Sequence, residues 1–248
     1  MPGQEAKRIM GVELDTPLLD DVPLQDKTWW RVTHAAGFLT GGVTFLIGTY
    51  LFYLPATDFL GYMSGLLYII GSCGFLYCDV GEFFTFTDDK WLRLNISMSM
   101  VGSALNIIGS IGFLPNVMAI SPLLGILGFI GGSLAIGVSQ AWKVVRISGD
   151  GGICSSKDNF TAACVEGGAC LGAWGFFFGT LLFWIWPFEG TRMQVILALW
   201  MFGSSAFTFG GLSLIYRHAV IRVLAKRRNQ NGNNNKQTVV YNSNFHFD

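Results

Sequence analysis

Charge is the scarcest feature of this sequence. Only 13% of its 248 residues are Asp, Glu, Lys or Arg, about half the share found in a soluble domain. A water-facing surface needs more than that. Sixteen cationic and sixteen anionic side chains cancel, so no bulk attraction to nucleic acid is expected. Histidine is nearly missing: His34, His218 and His246 are all the chain holds, and none lies at the centre of an apolar run. That excludes an intramembrane serine–histidine hydrolase. The five cysteines (Cys73, Cys78, Cys154, Cys164, Cys170) are odd in number and form no C-x-x-C pair. Neither a disulfide framework nor a zinc site is expected on that ground. The first thirty residues carry Glu5, Glu13, Asp15, Asp20, Asp21 and Asp26 in place of a basic start and an apolar core. No cleavable leader is expected, so the first apolar helix must act as the insertion signal. H-E-x-x-H, G-x-S-x-G and G-x-x-x-x-G-K-[ST] do not occur, so no enzyme and no catalytic or metal-ligating residue is expected.

What the chain has instead is apolar length and glycine. Hydrophobic residues make up 51% and glycines number 32, a combination that suits helices packed in lipid. Six stretches are long enough to cross a hydrocarbon core of about 30 Å. They fall at 35–54, 59–79, 96–114, 118–140, 164–186 and 194–216. The fold class is therefore an all-α polytopic membrane protein with six transmembrane helices. Fifteen of the sixteen Lys and Arg residues fall on one side of that layout, and only Arg192 lies opposite. By the positive-inside rule both termini face the cytosol or its equivalent. The sequons Asn95-Ile96-Ser97 and Asn159-Phe160-Thr161 lie on the same basic side, so neither is expected to carry a sugar.

The spans pair into three copies of one hairpin, at about 33–90, 91–146 and 160–228. Residues 1–32 form an extension before them, and a polar linker and tail over 229–248 follow. Each odd span ends in the same way: Gly48-Thr49 with Phe52 and Pro55, Gly109-Ser110 with Phe113 and Pro115, Gly179-Thr180 with Phe183 and Pro187. The even spans place Gly71, Gly131 and Gly203 in matching positions, 23, 22 and 24 residues later. Lipid gives helices no hydrophobic reason to associate, so association depends on close backbone approach at small residues. Gly168, Gly172, Gly175 and Gly179 form one stripe on span five. Gly37, Gly41 and Gly48 form another on span one, and Gly125, Gly128 and Gly132 a third on span four. Ser72, Ser110 and Ser204 beside the glycines, and Asn106 at a span centre, are read as interhelical hydrogen-bonding groups. The motif Gly71-Ser72-Cys73-Gly74-Phe75, with Gly109-Ser110-Ile111-Gly112-Phe113 and Gly203-Ser204-Ser205-Ala206-Phe207, resembles the YrhK-like family of small membrane proteins. Span four departs from it, having Gly131-Gly132-Ser133 and no Phe. The resemblance implies a membrane hairpin unit and carries over no catalytic residue.

Ionisable groups inside a membrane are functional candidates by default. His34, Asp79, Glu82 and Glu166 all fall near the basic-side ends of their spans. Brought together they are a candidate cation or proton site; apart, they are interfacial residues wetted by headgroup water. Arg217, Arg222, Lys226, Arg227 and Arg228 form a basic strip for anionic lipid or an acidic partner. The tail Thr238–Asp248 is a docking peptide or a disordered terminus. Two functions fit these features. One is a non-catalytic accessory subunit of a larger membrane complex, meeting other subunits through glycine faces and with no cofactor beyond a structural lipid. The other is a channel or transporter, with a neutral-solute path along Thr49, Ser72, Asn106, Ser110, Thr180 and Ser204.

Overall fold

The computed structural model describes Leu24 and residues 27–87, 89–149, 152–186 and 188–221. Among these residues there are seven helices and no strand: α1 (Thr28–Leu51), α2 (Asp58–Thr85), α3 (Lys90–Gly112), α4 (Pro115–Ile120), α5 (Pro122–Gly149), α6 (Lys157–Ile185) and α7 (Gly190–Tyr216). A π-helical turn, Arg217–Ile221, continues α7. All but the short α4 are long and apolar enough to cross a membrane, the last as Gly190–Ala219.

The helices run several residues past the apolar windows at the basic end. At 1.5 Å per residue they span roughly 35–45 Å, more than the hydrocarbon core. The surplus carries polar residues that remain helical because their side chains pair or cap. Asp89 accepts hydrogen bonds from the amides of Trp91 (2.9 Å) and Leu92 (3.1 Å) at the start of α3. Those amides, Leu92 first, and the nearby Arg146 guanidinium hold its carboxyl below the usual range. Ser156 caps α6 through the amide of Asn159, and Thr57 caps α2 through Leu60. Helix α1 starts at Thr28, inside the stretch expected as an extension, and residues 229–248 lie outside the described residues. At the opposite end Pro115 opens α4, an extra turn and a half before α5.

Each long helix packs against its neighbours in chain order, and α7 returns to α1, closing a six-membered ring. The glycine stripes form the contacts within each hairpin. On α6, a Cβ at Gly168 would stand 2.9 Å from Gly210, at Gly172 2.7 Å from the Phe207 ring, at Gly175 2.9 Å from Gly203, and at Gly179 2.5 Å from Trp200. All four face α7. On α1, Gly37 meets Tyr77 and Cys78, and Gly41 meets Phe75; Gly48 makes only ordinary contact with α2. On α5, Gly125, Gly128 and Gly132 lie against Gly112, Gly109 and Asn106. Two glycines that the stripes did not include close the ring: Gly42 lies against the Thr208 backbone and Gly211 against Leu39.

The structure moves one position of the repeat. Gly131 faces little besides Leu105, whereas Gly132 has the interfacial place held by Gly71 and Gly203. The third pattern is then Gly132-Ser133 with Ile136, parallel to Gly71-Ser72 with Phe75 and Gly203-Ser204 with Phe207. Two adjacent glycines hid the phase. Three residues before these glycines stand Tyr68, Phe129 and Trp200, all buried.

Those aromatics fill the ring. Phe45 is the hub, with ring centroids of Tyr68, Phe75, Phe176, Phe207 and Phe129 at 4.9, 5.6, 5.1, 6.1 and 6.3 Å. Edge-to-face pairs of this kind add about 0.5–1.5 kcal/mol each beyond burial. The hydroxyls beside the glycines join hairpin to hairpin. Thr49 shares hydrogen bonds of 2.9 Å with Ser204 and with Tyr68, and Ser72 meets Ser110 at 3.4 Å. Thr180 accepts from the indole of Trp200.

Filling these contacts sets the expected response to substitution. Gly175→Leu forces α6 off the Gly203 backbone and lowers stability by about 3 kcal/mol or more. Gly167→Leu, one helical face away with nothing within 4 Å, leaves the melting temperature in detergent unchanged. Equal melting of both variants contradicts the glycine joint.

Candidate functional site

The ring is filled at its middle and open at its basic end. Between the ends of α1, α2, α5, α6 and α7 lies a chamber of about 340 Å³. Its walls include His34, Phe38, Asp79, Glu82, Gln140, Lys143, Glu166, Arg217 and His218, with Trp30 at one side. The ionic residues sit about one to two and a half turns inside the helix ends, near the boundary of the hydrocarbon layer.

Two of the four predicted residues, Glu82 and Glu166, converge on a fifth group, and a third, His34, joins them through Glu82. Glu82 approaches His34 Nε2 with one carboxylate oxygen (3.2 Å) and accepts from Lys143 Nζ with the other (2.8 Å). Glu166 approaches the same ammonium at 3.5 Å from the far wall. Asp79 sits just below, its carboxylate accepting from Ser103 of α3 at 2.6 Å. Lys143 had been read only as a topology-setting charge. Its sequence signal is a lysine a turn and a half inside α5, one turn after Ser139 and Gln140; what it faces depends on ring closure, which no local pattern shows. The side chains of Lys143 and Glu82 are 9% and 16% exposed, so the pair is largely withdrawn from water. A buried pair of this kind contributes little net stability, but loss of one partner leaves an uncompensated charge.

Trp30 also departs from expectation. A tryptophan placed before an apolar run ordinarily sits at the lipid–water interface, and its neighbour Trp29 is exposed in that way. Trp30 is buried, stacked on His34 at 4.5 Å and set edge-on to His218 at 6.1 Å. Cys78 donates to the His34 carbonyl from α2 and fixes that turn of α1. Above the chamber mouth, Arg217 grips Asp158 with two hydrogen bonds of 3.0 and 3.1 Å. That member of the basic strip is thus engaged within the chain. Arg222, Lys226, Arg227 and Arg228 lie outside the described residues. Arg146 is answered by Asp89 at 2.8 Å.

Below the chamber the aromatic core is dense. A void between Tyr68, Phe129 and Trp200 measures about 10 Å³, room for about one water molecule. The six residues of the expected neutral-solute path are all buried in this zone, and most are spent on one another or on backbone. They form a girdle in this conformation and leave no lumen. Asn106 takes the place that Phe45 and Phe176 hold in the other hairpins, three residues before the glycine. Its Oδ1 fills the space a side chain at Gly132 would take and has no hydrogen-bond partner among the described residues. Of the two sequons, Asn95 is buried, donating to the Ser139 carbonyl, and Asn159 bonds Ser155 and Gly152.

Six apolar spans closed in a ring define a multi-pass integral membrane protein. No family model matches the chain, and no curated protein or solved structure is significantly similar to it.

Removing the shared anion is the most damaging single change expected in the chamber. Glu82→Gln strips both His34 and Lys143 of a partner and lowers stability by about 3 kcal/mol. Arg146→Ala, in a half-exposed pair at the rim, leaves melting close to the parent. Thermal unfolding followed by intrinsic fluorescence in detergent reads both.

Proposed function

We propose that this protein is a solute-binding membrane protein of the transporter type, seen with its site open to the basic end only. The observation that carries the reading is the chamber itself. It joins three carboxylates, an ammonium and two imidazoles, His34, Asp79 and Lys143 among them buried, around a cavity of about 340 Å³, and ionisable groups withdrawn from water in a membrane bundle are functional candidates. His34 Nδ1 and Gln140 Oε1 are buried on its wall with no hydrogen-bond partner among the described residues. Buried polar atoms are nearly always satisfied, so a structural role alone leaves these two unexplained. The aromatic plug supplies the closed gate on the opposite side. Passage then requires the ring to open at a seam, and the second hairpin, with Asn106 and Ile136 replacing aromatics, is the weakest part of the plug.

The expectation of an accessory subunit drew on glycine faces free to meet other chains. In the structure those faces meet the chain's own helices. The YrhK-like motif belongs to the same hairpin contacts and assigns no solute.

Accessibility tests the gate directly. In a background with all five cysteines replaced, Gln140→Cys in sealed vesicles should react with a membrane-impermeant thiol reagent from the basic side alone. Asn106→Cys, within the plug, should react from neither side. Reaction of Asn106→Cys from both sides points to an open channel. Silence of Gln140→Cys from either side removes the chamber as a solute site.

A further inference from the structure

The chamber's wall specifies what it holds. Three carboxylates (Asp79, Glu82 and Glu166) face one permanent cation, Lys143. The two guanidiniums at the rim have their own acids, Asp158 and Asp89. Among the described residues the remaining charge-capable walls are His34, tied to Glu82, and His218, set against Trp30. Apart from the rim pairs, the wall holds more carboxyl groups than permanent cations, and its acceptor Gln140 Oε1, without a hydrogen-bond partner among the described residues, asks for an N–H or O–H donor. An anion is excluded by the carboxylates. A bare metal ion is disfavoured by their arrangement, since among the described residues no three His, Cys, Asp or Glu groups converge closely enough to hold one. They stand around an ammonium instead. Its volume of about 340 Å³ admits roughly ten non-hydrogen atoms at about 30 Å³ each. The half-buried Phe38 ring on the wall can cover the apolar part of such a molecule and support a cation.

We propose that the chamber takes a small organic ammonium ion, and that Lys143 is a tethered copy of that ion, occupying the carboxylates until the ligand displaces it. This rests on the reading of the chamber as a solute site. The Lys143 stem is four methylenes long and enters from α5, so its ammonium can swing off Glu166 without movement of the helix. The weaker of its two ion pairs, 3.5 Å to Glu166 against 2.8 Å to Glu82, marks where an incoming ammonium first competes. Exchange of one cation for another keeps the buried charge constant. That avoids the cost of leaving the carboxylates uncompensated at any stage of binding.

The test uses the full chain in nanodiscs and four probes of one size: butylammonium, butane-1,4-diammonium, butanol and butyrate. Binding is read by calorimetry and by melting temperature. The ammonium probes should bind saturably and raise the melting temperature; the alcohol and the carboxylate should not. Lys143→Met should bind butylammonium at least tenfold more tightly than the parent, because the competitor is gone. Gln140→Leu lies outside the ion network and removes an unpaired acceptor, so it should fold normally and bind several-fold more weakly. If Lys143→Met does not fold, Gln140→Leu alone decides. Ammonium binding unchanged in both variants overturns the proposal. So does binding of butanol or butyrate in preference to the ammonium probes, and that result leaves the chamber standing as a solute site of another class. Absence of ammonium binding while Gln140→Cys remains reactive from one side also overturns the ligand assignment alone. Absence of both removes the chamber reading with it.

Discussion

The molecule depends on backbone-to-backbone contact at glycine. Where Gly112 meets Gly125, and Gly175 meets Gly203, two helices approach with no side chain between them. In lipid this replaces the hydrophobic drive that water supplies to a soluble bundle. It also sets the bore of the ring. Six helices held this closely enclose space only one aromatic side chain wide, which is why Phe45 alone can touch rings from α2, α5, α6 and α7. A ring with bulkier joints would be wider, and its centre would need water or ligand to fill it. The closed core and the open chamber are thus two results of one spacing: aromatics fill the bore along most of its length, and charges line it where the helices emerge toward water.

The ionic groups follow from the same geometry. Glu82, Lys143 and Glu166 come from three helices that share no local sequence relation, and the ring directs all three toward one axis. The hydroxyl girdle lies deeper, where only neutral hydrogen bonds are cheap enough to form. Along the axis the paired ions come first, then the Phe75 and Phe207 rings, then the hydroxyls of Ser72 and Ser204 one turn further on, then Tyr68 and Trp200.

Much of this was legible in the residues. Six apolar windows, the hairpin motif and the glycine stripes follow from periodicities of 3.6 and of roughly sixty to seventy residues. The pairing of Gly168, Gly172, Gly175 and Gly179 with α7 is what a short outer turn imposes. Phase within a double glycine was not legible, because Gly131 and Gly132 offer the same chemistry to a pattern and only packing separates them. The helix extensions were not legible either, since polar residues past an apolar window look like loop until their caps and ion pairs are seen. The grouping of His34, Glu82 and Glu166 appeared in the sequence as a condition on how the bundle closes. Lys143 did not appear at all as a site residue: a cation near a span end already had a sufficient explanation in topology. Trp30 was hidden for the same reason, since a membrane-interface tryptophan and a chamber wall look alike in one dimension.

The girdle has one further consequence. Ser72 of the first hairpin meets Ser110 of the second, and Ser204 of the third meets Thr49 of the first. The seam that joins last to first is therefore built from the same chemistry as a seam within the chain. Helices α1 and α7 also lie side by side, with Thr28 and Ala219 at the same end of the bundle. In topological terms the ring has no privileged cut. A circular permutant joined across α7 and α1 and opened between α2 and α3 keeps every interhelical contact, so the order of hairpins along the chain is a property of its synthesis more than of its folded state.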